Sequence, residues 1–217
     1  MNHRKVNVTH YLPTSRTYET REYQVPSPPG TTLLDALEYI YNHLDPDITF
    51  RYGCRYNRCG LCAVMANGKP RLACKVMLEN VEQVAPLESL IPLRGLTVDR
   101  STYMNSLHHL RLFVIGQDTD PLGPIDEDSL HMNLMHCLEC LCCNASCHKI
   151  SPDSAEFAGP YALVKLCQLH LDPRDEMNRT EQAKDIGLQE CIDCQKCICP
   201  NGIRLQEAIQ RLATNAK

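Results

Sequence analysis

No apolar run in this 217-residue sequence approaches the roughly 18–20 residues that a membrane-spanning helix needs. Runs such as Leu112-Phe-Val-Ile115 stop after four residues. The opening stretch, Met1-Asn-His-Arg-Lys-Val6, has no apolar segment behind its basic residues, so no secretory signal is expected. The long Arg- and Ser-rich, acid-poor composition of a transit peptide is missing as well. There is no basic surplus: 22 Lys and Arg stand against 26 Asp and Glu, and a formal net charge of −4 argues against a nucleic-acid partner. Basic residues do gather as Arg51, Arg55, Arg58, Arg71 and Lys75, a set that reads as a solvated face or, alternatively, as a docking patch. No Gly-rich phosphate loop and no nucleophile–base pair stands out, so nothing points to substrate chemistry performed by this chain itself. With 22% charged and 43% apolar residues, the composition is that of an ordinary folded chain.

What the sequence has in excess is cysteine, fourteen in all. In a chain that stays inside the cell such a load signals metal ligation rather than disulfides. Thirteen of them fall into three groups, at 54/59/62/74, at 137/140/142/143/147 and at 191/194/197/199, while Cys167 stands alone. Residues 75–136 contain no cysteine, which suggests a domain boundary inside that stretch.

The first group reads Tyr52-Gly-Cys54-Arg-Tyr-Asn-Arg-Cys59-Gly-Leu-Cys62, with Cys74 further on. This C-x4-C-x2-C…C spacing is that of plant-type 2Fe-2S clusters, in which a short loop wraps one iron and the distant cysteine closes the other. Gly53 and Gly60 let the backbone come close to the sulfurs. A zinc site is the alternative, although zinc loops usually pair two C-x2–4-C units and the second is missing here. Read through Cys137, Cys140, Cys143 and Cys147, the second group is the C-x2-C-x2-C-x3-C run of bacterial ferredoxins, whose fourth cysteine ligates the other cluster in two-cluster proteins. The third group, Cys191-Ile-Asp-Cys194-Gln-Lys-Cys197-Ile-Cys199-Pro200, is a second such run. Exchange of fourth ligands puts one 4Fe-4S cluster on Cys137, Cys140, Cys143 and Cys199, and another on Cys147, Cys191, Cys194 and Cys197. A pair of zinc ribbons is the competing assignment. Cys142 and Cys167 read as small buried residues rather than ligands. His108, His109, His131 and His170 lack a ligand-spaced partner, whereas His136 and His148 adjoin cluster cysteines and are candidates either for hydrogen bonding to a cluster or for plain packing.

The rest of the pattern places these loops on two domains, 1–100 and 101–217. Residues 5–25 read as a β-hairpin broken at Pro13-Thr-Ser15 and closed by Pro26-Ser-Pro-Pro-Gly30. Thr32-x-x-Asp35 is a capping box opening a helix with Leu34, Leu37, Tyr41 and Leu44 in a stripe, and Pro46 ends it. A second hairpin turns at Asn67-Gly68. Beyond residue 100, helices are predicted over Ser101–Val114, from Pro160 to the stop at Asp172-Pro173, and over Leu205–Ala213. The fold class is therefore α+β, with a mixed first domain and a helical second one.

The whole arrangement resembles the iron-sulfur subunit of the succinate dehydrogenase / fumarate reductase family. The likeness runs through Leu33-Leu-Asp-Ala-Leu-Glu-Tyr-Ile40, Asp45-Pro46, Phe50-Arg51, Cys59-Gly-x-Cys62, Asn67-Gly-Lys-Pro-Arg-Leu-Ala-Cys74, Pro92-Leu93, Val98-Asp99, Gly159-Pro160 and Cys199-Pro-x-Gly202. The resemblance implies a β-grasp 2Fe-2S domain, then an all-α ferredoxin-like domain with two clusters. It also implies an FAD-containing flavoprotein partner whose flavin lies nearest the 2Fe-2S cluster, and a place inside the cell, peripheral to the membrane. A further subunit, either a membrane anchor or a soluble redox protein, is expected near the last cluster. The chain departs from the family in four places. Cys194 fills a corner that other members leave to a non-cysteine, which turns an expected 3Fe-4S cluster into a 4Fe-4S cluster. Cys197 and Cys199 are one residue apart instead of three. His148 stands in place of a proline, and the absence of Trp removes a residue that the family's quinone pocket uses. A subunit of another flavoprotein or of a thiol-linked, heterodisulfide-type reductase, a free-standing polyferredoxin and a zinc-stapled interaction module are the rival readings.

Overall fold

The computed structural model describes residues 2–116, 128–150 and 157–214. Two compact units are formed, one by Met1–Arg100 with Leu138–Ser146, the other by Ser101–Cys137 with Cys147–Lys217. All described strands lie in the first unit, and the chain as a whole is α+β.

In the first unit, β1 (His3–Leu12) and β2 (Thr17–Pro26) pair antiparallel without a slip from His3 opposite Pro26 to Leu12 opposite Thr17. Alternation sends Val6, Val8, Tyr23 and Val25 inward, as a half-buried hairpin requires. β3 (Ala63–Ala66) and β4 (Lys69–Leu72) form the second hairpin. Its two turn residues, Asn67 at φ +49° and Gly68 at φ +70°, both occupy the left-handed region that a tight primed turn demands. β5 (Gln83–Ala85) then slots between the hairpins, parallel to β1 and antiparallel to β3, giving a five-stranded order β2-β1-β5-β3-β4. β6 (Ile91–Arg94) and β7 (Thr97–Asp99) make a separate two-stranded ribbon.

The helix α1 (Leu33–His43) starts at the capping box read from the sequence: the Thr32 hydroxyl accepts from the Asp35 N–H at 3.2 Å, and the Asp35 carboxylate accepts from the Thr32 N–H at 2.9 Å. Its buried face differs from the predicted stripe. Leu33, Leu34, Leu37 and Ile40 are buried, whereas Tyr41 and Leu44 are 50% and 46% exposed. Leu33, Leu37 and Ile40 follow an i, i+4, i+7 line that faces the sheet, and Tyr41 turns aside to meet the edge of Phe50. A mixed sheet grasping one helix in this way is a β-grasp.

The remaining elements are helical: α2 (Ser101–Ser106), α3 (Ser129–Met135), α4 (Cys142–Ala145), α5 (Pro160–Leu171), α6 (Arg179–Asp185) and α7 (Leu205–Thr214). Of these, the single turn α4 groups with the first unit. Pro160 is the first residue of α5, preceded by Gly159 at φ +87°. The helix predicted over Ser101–Val114 stops at Ser106, followed by a 3-10 turn at His108–Leu110. At the stop the bonding tightens, with the Leu107 N–H donating to the Met104 carbonyl at 3.2 Å, and the segment beyond is gathered by Arg179, which is fully buried. Its guanidinium donates to the carbonyls of Leu110, Arg111 and Phe113 at 3.1, 3.1 and 2.8 Å and to Asp175 at 2.6 Å. Within this segment Arg111 adopts φ +47°.

Candidate metal centres

The first cysteine group lies on the rim of the β3–β4 hairpin. Cys62 immediately precedes β3 and Cys74 closely follows β4, so the ladder pairing Ala63 with Leu72 carries them to the same end. The Ala73 N–H donates to the Cys62 carbonyl at 2.9 Å and extends that pairing. The 12-residue separation in sequence is thus closed by a turn of two residues. On the other side, the loop before Cys62 curls through left-handed residues Arg55, Asn57 and Gly60. Two backbone N–H groups, from Tyr56 and Arg58, point at the Cys54 sulfur at 3.3 and 3.2 Å, and the Cys54 N–H donates to the Cys59 sulfur at 3.4 Å. The Arg58 and Tyr56 amides hold the Cys54 thiol down at about 7. Burial pushes Cys62 up to about 12, with Cys74 as its hydrogen-bonded neighbour. Arg55 pairs with Glu38 of α1 and stacks over Tyr52, 5.1 Å from the ring centre, which ties the loop to the helix. One of the five gathered basic residues therefore serves the loop itself.

The second group divides between the units: Cys140 and Cys143 belong to the first, Cys137 to the second. Around Cys140 the chain passes through two left-handed residues, Glu139 and Leu141, before the α4 turn. A hydrogen bond with the Cys142 thiol is the main influence holding Cys140 at about 7, and Arg100, which donates to the Glu139 carbonyl, adds to it. The first loop presses directly on this segment. A Cβ placed on Gly60 would lie 2.5 Å from the Leu138 oxygen and 2.9 Å from the Cys140 Cβ. Cys142, read as a non-ligand, is completely buried.

Within the second unit, Cys137 follows α3 and Cys199 lies on the loop before α7. The Asn201 side chain donates to the His136 carbonyl at 2.8 Å, Asn133 donates to the Gly202 carbonyl at 3.1 Å, and the Arg204 N–H returns to Asn133 at 2.9 Å. These bonds bind the two cysteine-bearing segments to each other. The Ile203 N–H points at the Cys199 sulfur at 3.4 Å.

The last group also comes together there. The Cys147 sulfur accepts from the Cys197 thiol and from the backbone N–H groups of Lys149 and Ile150, and these hold it at about 6. Burial raises the Cys191 thiol to about 11, with Cys147 and Cys194 as close electrostatic neighbours. Gln206 and Gln210 of α7 both donate to the Ile192 carbonyl, at 2.7 and 2.8 Å, and pin the Cys191–Cys194 loop. Cys167 sits apart in the middle of α5, raised to about 12 by burial, with no other cysteine among the groups acting on it. The Cys147-His-Lys-Ile150 segment is described, but Ser151-Pro-Asp-Ser154, which completes the polar stretch noted in the sequence, lies outside the described residues.

No disulfide joins any of the cysteines. Among the described residues no three His, Cys, Asp or Glu side chains close on a point as ligands of a single ion do. The donor chemistry is uniform: grouped thiols, depressed in part by backbone N–H groups aimed at sulfur. Soft thiolates supported by amide donors suit iron-sulfur clusters. Sequence reasoning missed three supporting groups, Arg100 beside Cys140, the bonds of Asn133 and Asn201 between the Cys137 and Cys199 segments, and an ion pair between Lys149 and Glu190. None has a local signature, since each joins residues far apart in the chain.

Comparison with known proteins agrees with this chemistry. Residues 5–105 match the family described as 2Fe-2S iron-sulfur cluster binding domain. The fumarate reductase iron-sulfur subunit of Escherichia coli O6:H1 is 31% identical over 226 residues, covering 97% of this chain and 92% of that one. A subunit of the fumarate reductase (CoM/CoB) of Methanothermobacter marburgensis is 33% identical over 199 residues, 89% of this chain but 40% of its own. The chain spans about two fifths of the length of several curated relatives it matches, with 43%, 39% and 40% covered. In fold it superposes on a chain of the Mycobacterium smegmatis Sdh1 complex in the apo form, with a TM-score of 0.80 at 24% identity over 99% of this chain and 97% of that one.

Proposed function

Because the chain belongs to the succinate dehydrogenase / fumarate reductase family of iron-sulfur subunits, we propose that it relays single electrons between FAD in a flavoprotein partner and a second redox partner. The observation that carries this reading is the spacing of twelve cysteines in the sequence, with backbone N–H groups turned toward the sulfurs of Cys54 and Cys147, in a sequence with no substrate-type catalytic set. Cys54, Cys59, Cys62 and Cys74 hold the 2Fe-2S cluster. Cys137, Cys140, Cys143 and Cys199 hold the first 4Fe-4S cluster, and Cys147, Cys191, Cys194 and Cys197 the second. When bound, such clusters supply one-electron redox chemistry over a wide span of potential. The residues of this chain do the rest: the thiols give up their protons to bind iron, and backbone amides at Tyr56, Arg58, Lys149 and Ile150 hydrogen-bond the sulfurs. Burial of Cys62, Cys140, Cys147 and Cys191 keeps water from them.

The chain itself is not the catalytic subunit on this reading, and it sits inside the cell, peripheral to the membrane. No helix among the described residues is long and apolar enough to cross a membrane. A further subunit, membrane anchor or soluble redox protein, meets it near His148 and Lys149, where no aromatic is present between Cys147 and Ser154 to line a quinone ring. Anaerobic isolation of the complex from its native source tests the reading. A co-isolated FAD subunit and about ten irons per chain are expected, against about nine with a 3Fe-4S cluster in the last position. A colourless, zinc-containing chain with no flavoprotein would refute it.

A further inference from the structure

We propose that Lys149 and Glu190 form a charged latch that joins the chain segments carrying Cys147 and Cys191 and sets the redox potential of the cluster held there. This rests on the reading of Cys147, Cys191, Cys194 and Cys197 as one ligand set. Lys149 stands two residues after Cys147, and Glu190 immediately precedes Cys191. Their side chains form an ion pair across a separation of 41 residues. Lys149 acts through both of its ends. Its backbone N–H, with that of Ile150, donates to the Cys147 sulfur, while its ammonium interacts electrostatically with Cys194 and Cys191. Glu190 is held by the 3-10 turn Leu188–Glu190, and the Cys191 N–H that follows donates to the Leu188 carbonyl at 3.0 Å.

The two side chains are 37% and 52% exposed, and an ion pair so open to water adds little to folding stability. A position that contributes little to stability yet places one charge of each sign at the edge of four thiols is suited to tuning. Reduction adds a negative charge to a cluster, so a neighbouring cation favours the reduced state and a neighbouring anion disfavours it. The Lys149 ammonium acts on Cys191 and Cys194 through space, and Glu190 acts on Cys191 with the opposite sign. Removing one charge must therefore shift the potential one way, and removing the other must shift it the opposite way.

The experiment is a redox titration, followed by electron paramagnetic resonance, of the anaerobically isolated iron-loaded complex carrying Lys149→Met, Glu190→Gln, both together, or Lys149→Arg. The last cluster's midpoint should fall in Lys149→Met, rise in Glu190→Gln, return close to the parent value in the double variant and stay near it in Lys149→Arg. A purely mechanical latch would loosen the cluster in both single variants without opposite shifts. Should Lys149→Met fail to hold its irons, the rise expected in Glu190→Gln still decides the matter. An intact cluster whose midpoint is unmoved by Glu190→Gln, or moves the same way in both single variants, overturns the latch alone. A parent preparation lacking this cluster overturns the ligand set as well.

Discussion

The contact between Gly60 and the Cys140 segment can be tested by adding one methyl group. In Gly60→Ala the new Cβ would lie 2.5 Å from the Leu138 oxygen, 2.9 Å from the Cys140 Cβ and 3.1 Å from its Cα, and the residue would keep a φ of +67°. A left-handed conformation costs an L-residue roughly 1–2 kcal/mol. Forcing an extra methyl against backbone costs about 1–3 kcal/mol more. The combined loss, roughly 2–5 kcal/mol, is a large share of the ordinary 5–15 kcal/mol of a folded domain. At this chain length it corresponds to a fall in melting temperature on the order of 4–20 °C. Gly68 supplies the internal control, since it has a similar φ of +70° with nothing within 4 Å of a built Cβ. Gly68→Ala should lose only the conformational part, about 1–2 kcal/mol. Thermal unfolding of both variants under argon, with iron content measured alongside, isolates the contact as the difference between them. The loops bearing Cys59, Cys62 and Cys140 meet at this point, so Gly60→Ala should also release iron more readily on heating. Equal melting temperatures for the two variants would refute the close approach.

Replacing Cys142 or Cys167 by Ser should leave the iron content unchanged, whereas Cys194→Ser should selectively lose or convert the last 4Fe-4S cluster, as judged by iron assay and paramagnetic resonance; loss of iron in Cys142→Ser but not in Cys199→Ser would reassign the fourth ligand. Arg179→Ala removes a buried guanidinium from Asp175 and from three backbone carbonyls, and should cost on the order of 3–5 kcal/mol in chemical denaturation. Asp128 caps α3 through the Leu130 N–H at 2.6 Å and pairs with Arg211 at 2.9 Å, the main cause of its lowered pKa. A depressed folded-state pKa means that its stabilising effect is present above the unfolded value and is lost as pH falls through the folded one, so Asp128→Ala should lower stability near neutrality by about 1 kcal/mol and narrow the gap to the parent in acid.

The elements that sequence reasoning anticipated are those whose causes are local. Thr32 and Asp35 cap α1 across three residues, and Asn67-Gly68 turns the second hairpin. The proposed ligand sets rest on spacing, and spacing is visible in one dimension. The departures have tertiary causes. Nothing in Ser101–Val114 announces that Arg179, 66 to 69 residues away, will take the carbonyls of Leu110 and Phe113 and gather this segment into an irregular turn. Likewise the short β5 lies between β1 and β3 with Val84 buried, pairing with strands from two hairpins distant in sequence.

The same division runs through the metal centres and bears on how they work. A thiol can be identified as a ligand from its neighbours in sequence, but its electrostatic surroundings come from elsewhere: Arg100 reaches Cys140 from the end of β7, and Glu190 meets Lys149 across 41 residues. For a chain whose proposed task is to pass electrons, the proposed ligands would decide that a cluster binds, and distant charges would bias the potential at which it accepts an electron. On this proposal, substitutions at Arg100, Lys149 or Glu190 would alter the driving force of transfer with no change in the cysteine motif itself.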